Sequence, residues 1–509
     1  MTVATNRIFR VPGGQPEIGR GALSAGGGRS FRYFLISLVS IIVAGMLGLF
    51  LDVSESNYGT LAAILVVLLG TIGHLALLST SRSIVHPAFL YCLIAIPLYV
   101  IFPTIQILLG QYSPHHQATP ELSFMASAAL VFAFTLPFGF GIRAAQKKAS
   151  TDAAISRPAP REEFRAIRFV VLLAIGVGSA AWIYFFHRVG GLLEFIQNVQ
   201  NKTKLVSGFG YLMLTAHFLQ VGTLVAFSLA LKKKPVLPRW ALLGCIITST
   251  FVFTVLAMRA RIIMYVMMIA IVYVATKKVR RVRIFVFIAL TGVALIFLLG
   301  RIRSLGVGGQ EMLQKEEIRQ AVNVDAEMAL RQLTTDFSAF ERLSLVYEIT
   351  GDVLPLQWGK TIYAVLLLPL PSSFFPNKPT GSGPLVANAL VPGSWNLEKG
   401  WATGVTVTTI GELYLNFWWP GVIIGGLFLG MLAGAIFVRY LIRRPSMWST
   451  IKYSMIIVCV FIAGINGEWY GVVIEAAVYL VPLYLIEWIC RARMVRSLLS
   501  KQPMPIAKA

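Results

Sequence analysis

Long apolar stretches separated by short polar ones run through most of this chain. A helix that crosses a bilayer needs about 20 consecutive apolar residues. Most of these stretches meet that length, and one, 262–276, is short. They lie at 31–51, 58–78, 88–109, 123–142, 169–187, 209–231, 240–258, 262–276, 284–300, 418–438, 453–469 and 471–490. The pattern predicts an all-α polytopic membrane protein with about twelve transmembrane helices.

A long stretch of mixed polarity, 301–417, interrupts this series after the ninth apolar segment. Within it, residues 311–345 carry Leu and Phe at helical spacing among interleaved acids and bases, a pattern typical of an amphipathic helix. The apolar run 361–371 is short and contains two prolines, which favours a re-entrant or interfacial piece over a full span. We therefore expect a large external loop that carries amphipathic and re-entrant helices.

These patterns divide the chain into five parts. We expect a disordered cytoplasmic tail at 1–30, helices 1–9 of the membrane domain at 31–300, and the large loop at 301–417. Helices 10–12 follow at 418–490, and a second cytoplasmic tail at 491–509. Residues 1–30 are rich in Gly and Arg and lack the apolar core of a signal peptide.

Composition agrees with a membrane protein and decides its orientation. Of the 509 residues, 56% are hydrophobic and 13% are charged, against roughly 25% charged in soluble proteins. The net charge of +23 invites a nucleic-acid partner, but its distribution argues against one. With the N-terminus in the cytoplasm, that side holds 31 of the 45 Lys and Arg residues and 5 of the 22 Asp and Glu residues. This asymmetry is the positive-inside signal; it predicts a lipid bilayer as partner, no nucleic acid, and an external 301–417 loop.

Arg259 and Arg261 stand at the external turn before the eighth apolar segment. Arginine beside lipid is costly unless it meets an anion or an acid. One interpretation is a guanidinium pair that holds a phosphate or pyrophosphate through bidentate hydrogen bonds. The other is snorkelling of both side chains to lipid phosphates. Arg301 and Arg303 leave the ninth segment on the same side.

Glycines recur in the tenth apolar segment. Gly421 and Gly425, then Gly430 and Gly434, are spaced by four residues, with Gly426 beside them. Small residues at this spacing let a second helix approach closely. The segment is therefore predicted to pack tightly against another helix.

Three stretches of the second half of the chain resemble one family. They are RARIIMYVMMIAIVYVATKKVRR (259–281), PSSFFPNKP (371–379) and TTIGELYLNFWWPGVIIGGLFLG (408–430). They are similar to the Wzy family of bacterial O-antigen and exopolysaccharide repeat-unit polymerases. The chain departs from the family pattern at Trp418 and Trp419, which replace small residues, and at Leu370.

The resemblance implies glycosyl transfer on the outer, periplasmic face of a bacterial inner membrane. The donor would be a growing glycan on undecaprenyl pyrophosphate, and the acceptor a second lipid-linked repeat unit. It also implies a metal-independent, all-helical enzyme similar to the type C glycosyltransferases, without a cofactor. A chain-length-regulating co-polymerase and a flippase would be its protein partners.

That chemistry requires a carboxylate or His near the acceptor hydroxyl and cations near the departing pyrophosphate. The candidate bases are Asp336, Glu341 and Glu412. The residues predicted to converge on pyrophosphate are Arg259, Arg261, Arg342 and Lys378, with Arg301 and Arg303 nearby. No DxD-like external acidic pair suggests a metal.

Glu412 stands in the most family-like segment. Helical spacing places Thr408, Thr409, Glu412 and Asn416 on one face, and Tyr414 and Asn416 could hold a sugar by hydrogen bonds. In the alternative interpretation, Glu412 pairs with an arginine and merely orients it.

Other functions compete with polymerisation. An O-antigen ligase shares the architecture and the donor, but the GELYLNF segment favours a polymerase. A lipid-linked oligosaccharide transporter or flippase should show repeated halves and charges at the bilayer centre, and neither pattern is evident. A non-catalytic subunit of a secretion complex could use the long loop for docking.

Overall fold

We describe the protein from a computed structural model. It covers residues 85–108, 120–151, 164–197, 209–255, 259–277, 338–367, 379–396, 401–402, 405–443 and 445–499. The helices in these ranges are α1 (Pro87–Ile96), α2 (Phe102–Leu108), α3 (Pro120–Thr151), α4 (Phe164–Arg188), α5 (Leu192–Gln197), α6 (Gly210–Ala216), α7 (Phe218–Leu231), α8 (Arg239–Val255), α9 (Arg259–Lys277), α10 (Ala339–Ile349), α11 (Lys360–Leu366), α12 (Ser382–Leu390), α13 (Thr409–Phe437), α14 (Met447–Ile456), α15 (Ala463–Asn466) and α16 (Trp469–Leu499).

Short π-helical stretches continue three of these helices in the same ranges. They are Pro97–Ile101 after α1, Val438–Arg443 after α13 and Ile457–Ile462 after α14. One antiparallel pair of two-residue strands, Trp395–Asn396 and Trp401–Ala402, follows α12. The protein is therefore almost entirely helical over the residues described.

Seven helical stretches in the described ranges are long and apolar enough to cross a membrane. They are Pro87–Gln106, Leu122–Lys148, Ile167–Arg188, Tyr211–Leu231, Ala260–Lys277, Thr409–Arg443 and Trp469–Ala492. Two shorter apolar helices, Arg239–Phe253 and Met447–Phe461, match two further predicted segments. The polytopic α-helical class is confirmed.

The number of spans stays a prediction. The predicted spans at 31–51, 58–78 and 284–300 lie outside the described residues, as do the tail at 1–30 and residues 278–337 of the chain. Of the predicted amphipathic helix at 311–345, the structure describes only the end, where α10 begins.

One predicted span begins earlier than the hydropathy pattern suggests. The sequence places its start at 453, after the charged Lys452, whereas α14 begins at Met447 with Ser446 as its N-cap. Lys452 lies inside the helix because its ammonium group pairs with Glu487 of α16 at 2.5 Å. Pairing offsets much of the cost of placing a charge between helices.

The glycines of α13 allow α3 to approach it closely. A Cβ atom at Gly430 would lie 2.0 Å from the carbonyl oxygen of Phe138, and one at Gly426 would lie 2.5 Å from that of Phe134. Gly434 faces Ile142 in the same way. Three of the five predicted glycines therefore form a helix–helix contact in which any side chain would push the helices apart.

The other two glycines serve a fold-back of α13 on itself. Trp418 has φ 59° and ψ −152°, which breaks the helix. The short half, 409–417, turns back so that Leu413 meets Gly425 and Phe417 meets Gly421. The predicted start of this span, 418, coincides with the break.

Pro420 explains how the break is tolerated. Proline has no N–H to donate to the carbonyl four residues earlier, which here belongs to Asn416. The carbonyl oxygens of Leu415 and Asn416 instead accept the N–H groups of Gln357 (3.0 Å) and Trp358 (3.2 Å). The segment between α10 and α11 thus satisfies the backbone that the broken helix exposes.

Candidate functional site

Glu412 lies in the short half of α13 and is fully buried. Its Oε1 accepts the Thr361 hydroxyl at 2.7 Å, and its Oε2 accepts the Trp469 N–H at 2.6 Å. The carboxylate therefore sits in the first turn of α13 and at the first residue of α16. Helix N-termini carry partial positive charge and favour an anion. This arrangement stabilises a carboxylate that has lost its contact with water.

The polar face predicted around Glu412 is real, but it points into the protein. Thr409 donates its hydroxyl to the carbonyl of Gly464 at 2.6 Å. Asn416 donates to the Thr361 hydroxyl at 2.7 Å and accepts the Gly359 N–H at 2.9 Å. The face thus joins α13 to α11 and α15, and its side chains already hold one another.

A second carboxylate, Glu468, lies immediately before α16. Its Oε2 accepts the Ser382 hydroxyl at 2.9 Å and the Gly383 N–H at 2.5 Å. These two donors belong to the first turn of α12. The side chain of Glu468 is half-buried. We call Glu412 and Glu468, with their donors Thr361, Ser382, Gly383 and Trp469, the carboxylate cluster.

Arg342 is connected to the carboxylate cluster by hydrogen bonds with the segment that precedes α13. Its Nη1 donates to the Thr406 hydroxyl. The adjacent Val405 N–H donates to the carbonyl of Gly383 at 3.3 Å. Gly383 in turn binds Glu468. A guanidinium group and a half-buried carboxylate therefore flank the same short piece of chain.

Arg261 on α9 makes a bidentate ion pair with Glu475 on α16. Its Nε donates to Oε1 at 2.8 Å and to Oε2 at 3.0 Å, and its Nη2 donates to Oε1 at 2.6 Å. The two side chains are 16% and 21% exposed. Arg261 is therefore not an isolated cation: its partner in the structure is Glu475, which neither interpretation of the sequence had named.

Buried polar groups continue from this ion pair into the helix bundle. The ring of His217 contacts that of Tyr479 at 5.2 Å between centroids, and Tyr479 lies one turn beyond Glu475 on α16. His217 Nδ1 donates to the carbonyl of Met213 at 2.6 Å, whereas His217 Nε2 and the Tyr479 hydroxyl have no hydrogen-bond partner among the described residues.

The remaining predicted site residues are placed as follows. Tyr414 is buried; its hydroxyl accepts the Trp418 Nε1–H at 2.7 Å, and its ring packs 5.7 Å from Tyr347. Glu341 is buried in the first turn of α10. Arg259 is the first residue of α9.

Four further predicted residues lie outside the described part of the chain: Arg301, Arg303, Asp336 and Lys378. The convergence of Arg259, Arg261, Arg342 and Lys378 on one pocket therefore stays a prediction. Among the described residues, no group of three His, Cys, Asp or Glu side chains is arranged to hold a metal ion. Metal-independent chemistry stays a prediction as well.

Two acids of the site were not identified from the sequence, although each left a signal. Glu475 is an acid inside an apolar span, and such a residue should prompt a search for a partner. Glu468 stands in the turn INGEWYG (465–471) between the last two predicted spans. Ser382 and Thr361 gave no signal, because isolated hydroxyl residues are common in loops and helix starts.

No protein-family model, curated protein or solved structure matches this chain.

Proposed function

We propose that this protein polymerises oligosaccharide repeat units linked to undecaprenyl pyrophosphate. The reaction would be a metal-independent glycosyl transfer at the periplasmic face of a bacterial inner membrane. One observation supports this function above the rest: carboxylates and guanidinium groups gather at one end of an apolar helix bundle. A glycosyl transfer from a lipid pyrophosphate requires both groups at the membrane edge, a base for the acceptor and cations for the leaving group.

The charged residues at this end of the bundle come from distant parts of the sequence. Arg261, Arg342, Glu412, Glu468 and Glu475 come from four helices and one turn, and the contacts described above join or neighbour them. The family resemblance places its motifs in the same region, at 259–281 and 408–430. Arg261 and Glu412 are themselves members of these two motifs, so the resemblance supports a role for the same region of the chain.

The charges of the opposite end support the orientation. Phe437 at the far end of α13 packs against His86, with ring centroids 5.1 Å apart. The helix ends and loops on that side carry mostly basic residues: Arg143, Lys147, Lys148, Lys232, Lys233, Lys234, Lys277, Arg439, Arg443, Lys452 and Arg491. Basic residues favour the cytoplasmic side, so the carboxylate cluster would face the periplasm.

A reporter enzyme that is active only outside the cytoplasm tests this orientation. Fused after the exposed Gly393, it should be active, because that loop follows α12 of the carboxylate cluster. Fused after Ala509, it should be inactive. The reverse pattern would place the cluster in the cytoplasm and exclude the proposed reaction.

Reconstitution tests the function itself. The substrate is the lipid-linked repeat unit extracted from a host strain that lacks this protein, where the unit should accumulate. Purified protein in lipid nanodiscs should convert it into a ladder of products that differ by one repeat unit. Transfer to lipid A only would indicate a ligase. Translocation across vesicles with no increase in mass would indicate a transporter.

A further inference from the structure

We infer that Glu468 is the general base of the transfer and that Glu412 positions it. This inference rests on the proposed function, because it names the group that would take the proton of the acceptor hydroxyl. A base of this kind must come within hydrogen-bond reach of that hydroxyl. It needs an oxygen atom that the protein leaves accessible.

The described carboxylates differ in whether they have an oxygen atom that is free to meet a substrate. Glu412 is fully buried, and each of its oxygens accepts a hydrogen bond. Both oxygens of Glu475 face the guanidinium group of Arg261. Glu348 accepts the hydroxyl of Ser123, and Glu487 pairs with Lys452 among the basic residues of the other end.

Glu468 combines a fixed position with an accessible oxygen. The Ser382 hydroxyl and the Gly383 N–H both bind Oε2, whereas Oε1 accepts no hydrogen bond from any described residue. The side chain is half-buried rather than enclosed. A carboxylate held by one oxygen presents the other in a defined direction, which is what proton transfer to a bound sugar requires.

Glu412 fixes the main chain beside this base. It accepts the N–H of Trp469, the residue that follows Glu468. The carbonyl of Glu468 begins α16 by accepting the Val472 N–H at 3.0 Å. The buried Glu412 therefore sets the position of the turn from which the side chain of Glu468 extends.

The cations of the site lie within reach of the same carboxylate. Arg342 is linked to Glu468 through Thr406, Val405 and Gly383. The Arg261–Glu475 pair lies seven residues along α16, about 10 Å away at 1.5 Å per residue and on a similar face of the helix. An acceptor sugar at Glu468 would thus lie on the same side of the bundle as the guanidinium groups of Arg342 and Arg261.

The proposed glycosyl transfer needs only these groups. The acceptor hydroxyl oxygen forms a bond to the anomeric carbon of the donor, and its proton passes to Oε1 of Glu468. The bond between that carbon and the pyrophosphate oxygen breaks, and the pyrophosphate leaves with the electron pair. Glu468 then releases the proton to water.

Glu468→Gln tests the inference in the nanodisc assay. The glutamine retains an oxygen that can accept the Gly383 N–H, so α12 should stay in place. Turnover should fall at least about a hundredfold, the magnitude typical of losing a general base, while binding of the lipid-linked substrate changes by less than about threefold. Asp352→Asn, a change of an exposed acid in the loop between α10 and α11, should keep parental turnover.

Formate rescue separates a chemical role from a structural one. Glu468→Ala removes the base, and added formate should restore part of the rate because a small carboxylate can enter the vacated space. A merely structural residue would not respond to formate.

Two results would overturn the inference: Glu468→Gln turnover within tenfold of the parent, or an inactive, well-folded Glu468→Ala variant that formate does not rescue. If Glu468→Gln does not fold, the formate experiment alone decides. An inactive parental protein, in contrast, would count against the proposed function itself.

Discussion

Glu475→Ala should lower the free energy of unfolding by about 3–5 kcal/mol, the range seen when one partner of a buried ion pair is removed. The substitution leaves the guanidinium group of Arg261 inside the helix bundle without its acid. Such a charge must be hydrated or must rearrange the helices around it. Denaturation of the purified protein in mild detergent, followed by tryptophan fluorescence, measures the loss.

A control on the same helix shows whether the loss of stability arises because the ion pair is buried. Arg491→Ala also breaks an ion pair of α16, with Glu487, but Arg491 is 65% exposed and Glu487 keeps Lys452. Exposed pairs contribute about 0–1 kcal/mol, so this variant should remain close to the parent. An equal loss in both variants would show that the Arg261–Glu475 pair has no special place in the fold.

A double variant then separates stability from chemistry. Arg261→Met with Glu475→Leu replaces the pair by apolar side chains, a change that often preserves or raises stability. We expect the double variant to regain most of the stability lost in Glu475→Ala. If Arg261 also contacts pyrophosphate, the double variant should make little polymer even though it is folded. Parental polymer length would reduce the pair to a structural role.

The sequence predicted what depends on local pattern. The apolar segments predicted the helices, and the glycine spacing predicted a close contact with another helix, which the structure identifies as α3. The cost of an arginine beside lipid indicated that Arg261 needs a negatively charged partner, although the two interpretations were pyrophosphate and lipid phosphates rather than Glu475. Each inference needs only the residues of one helix and a general rule about its surroundings.

The identity of the partners required the folded chain. Arg261 and Glu475 are 214 residues apart, and no local pattern shows that α9 packs beside α16. The same holds for Glu412, whose donors come from α11 and α16. The helical face that was predicted to hold a sugar is instead used between helices, because spacing along a helix shows which residues share a face but not what that face meets.

The break in α13 was predicted only in part. Pro420 and the two tryptophans marked an irregularity near 418, and the predicted span began there. The fold-back of 409–417 was not predicted. It depends on the backbone N–H groups of Gln357 and Trp358, which donate hydrogen bonds to the carbonyls of Leu415 and Asn416. A backbone irregularity at membrane depth is possible only where such donors exist.

Glu412→Ala and Glu412→Gln should differ strongly in stability. Alanine leaves the Thr361 hydroxyl and the Trp469 N–H without their acceptor at a buried site, which should cost at least about 2 kcal/mol. Glutamine can replace both bonds: its oxygen accepts the Trp469 N–H, and its amide donates to the Thr361 oxygen. Only the bond that the Thr361 hydroxyl donates is then lost, so the cost should stay within about 1 kcal/mol.

The activity of Glu412→Gln decides between the two carboxylates. If Glu412 acts by positioning the turn at Glu468, the glutamine variant should polymerise within a few-fold of the parental rate, because the Trp469 contact is kept. Glu412→Ala removes that contact, so its turnover per folded molecule should fall as well. A folded Glu412→Gln variant that binds the lipid-linked donor and makes no polymer at any pH would instead identify Glu412 as the base. Glu468 would then serve only to hold α12 in place through its Oε2.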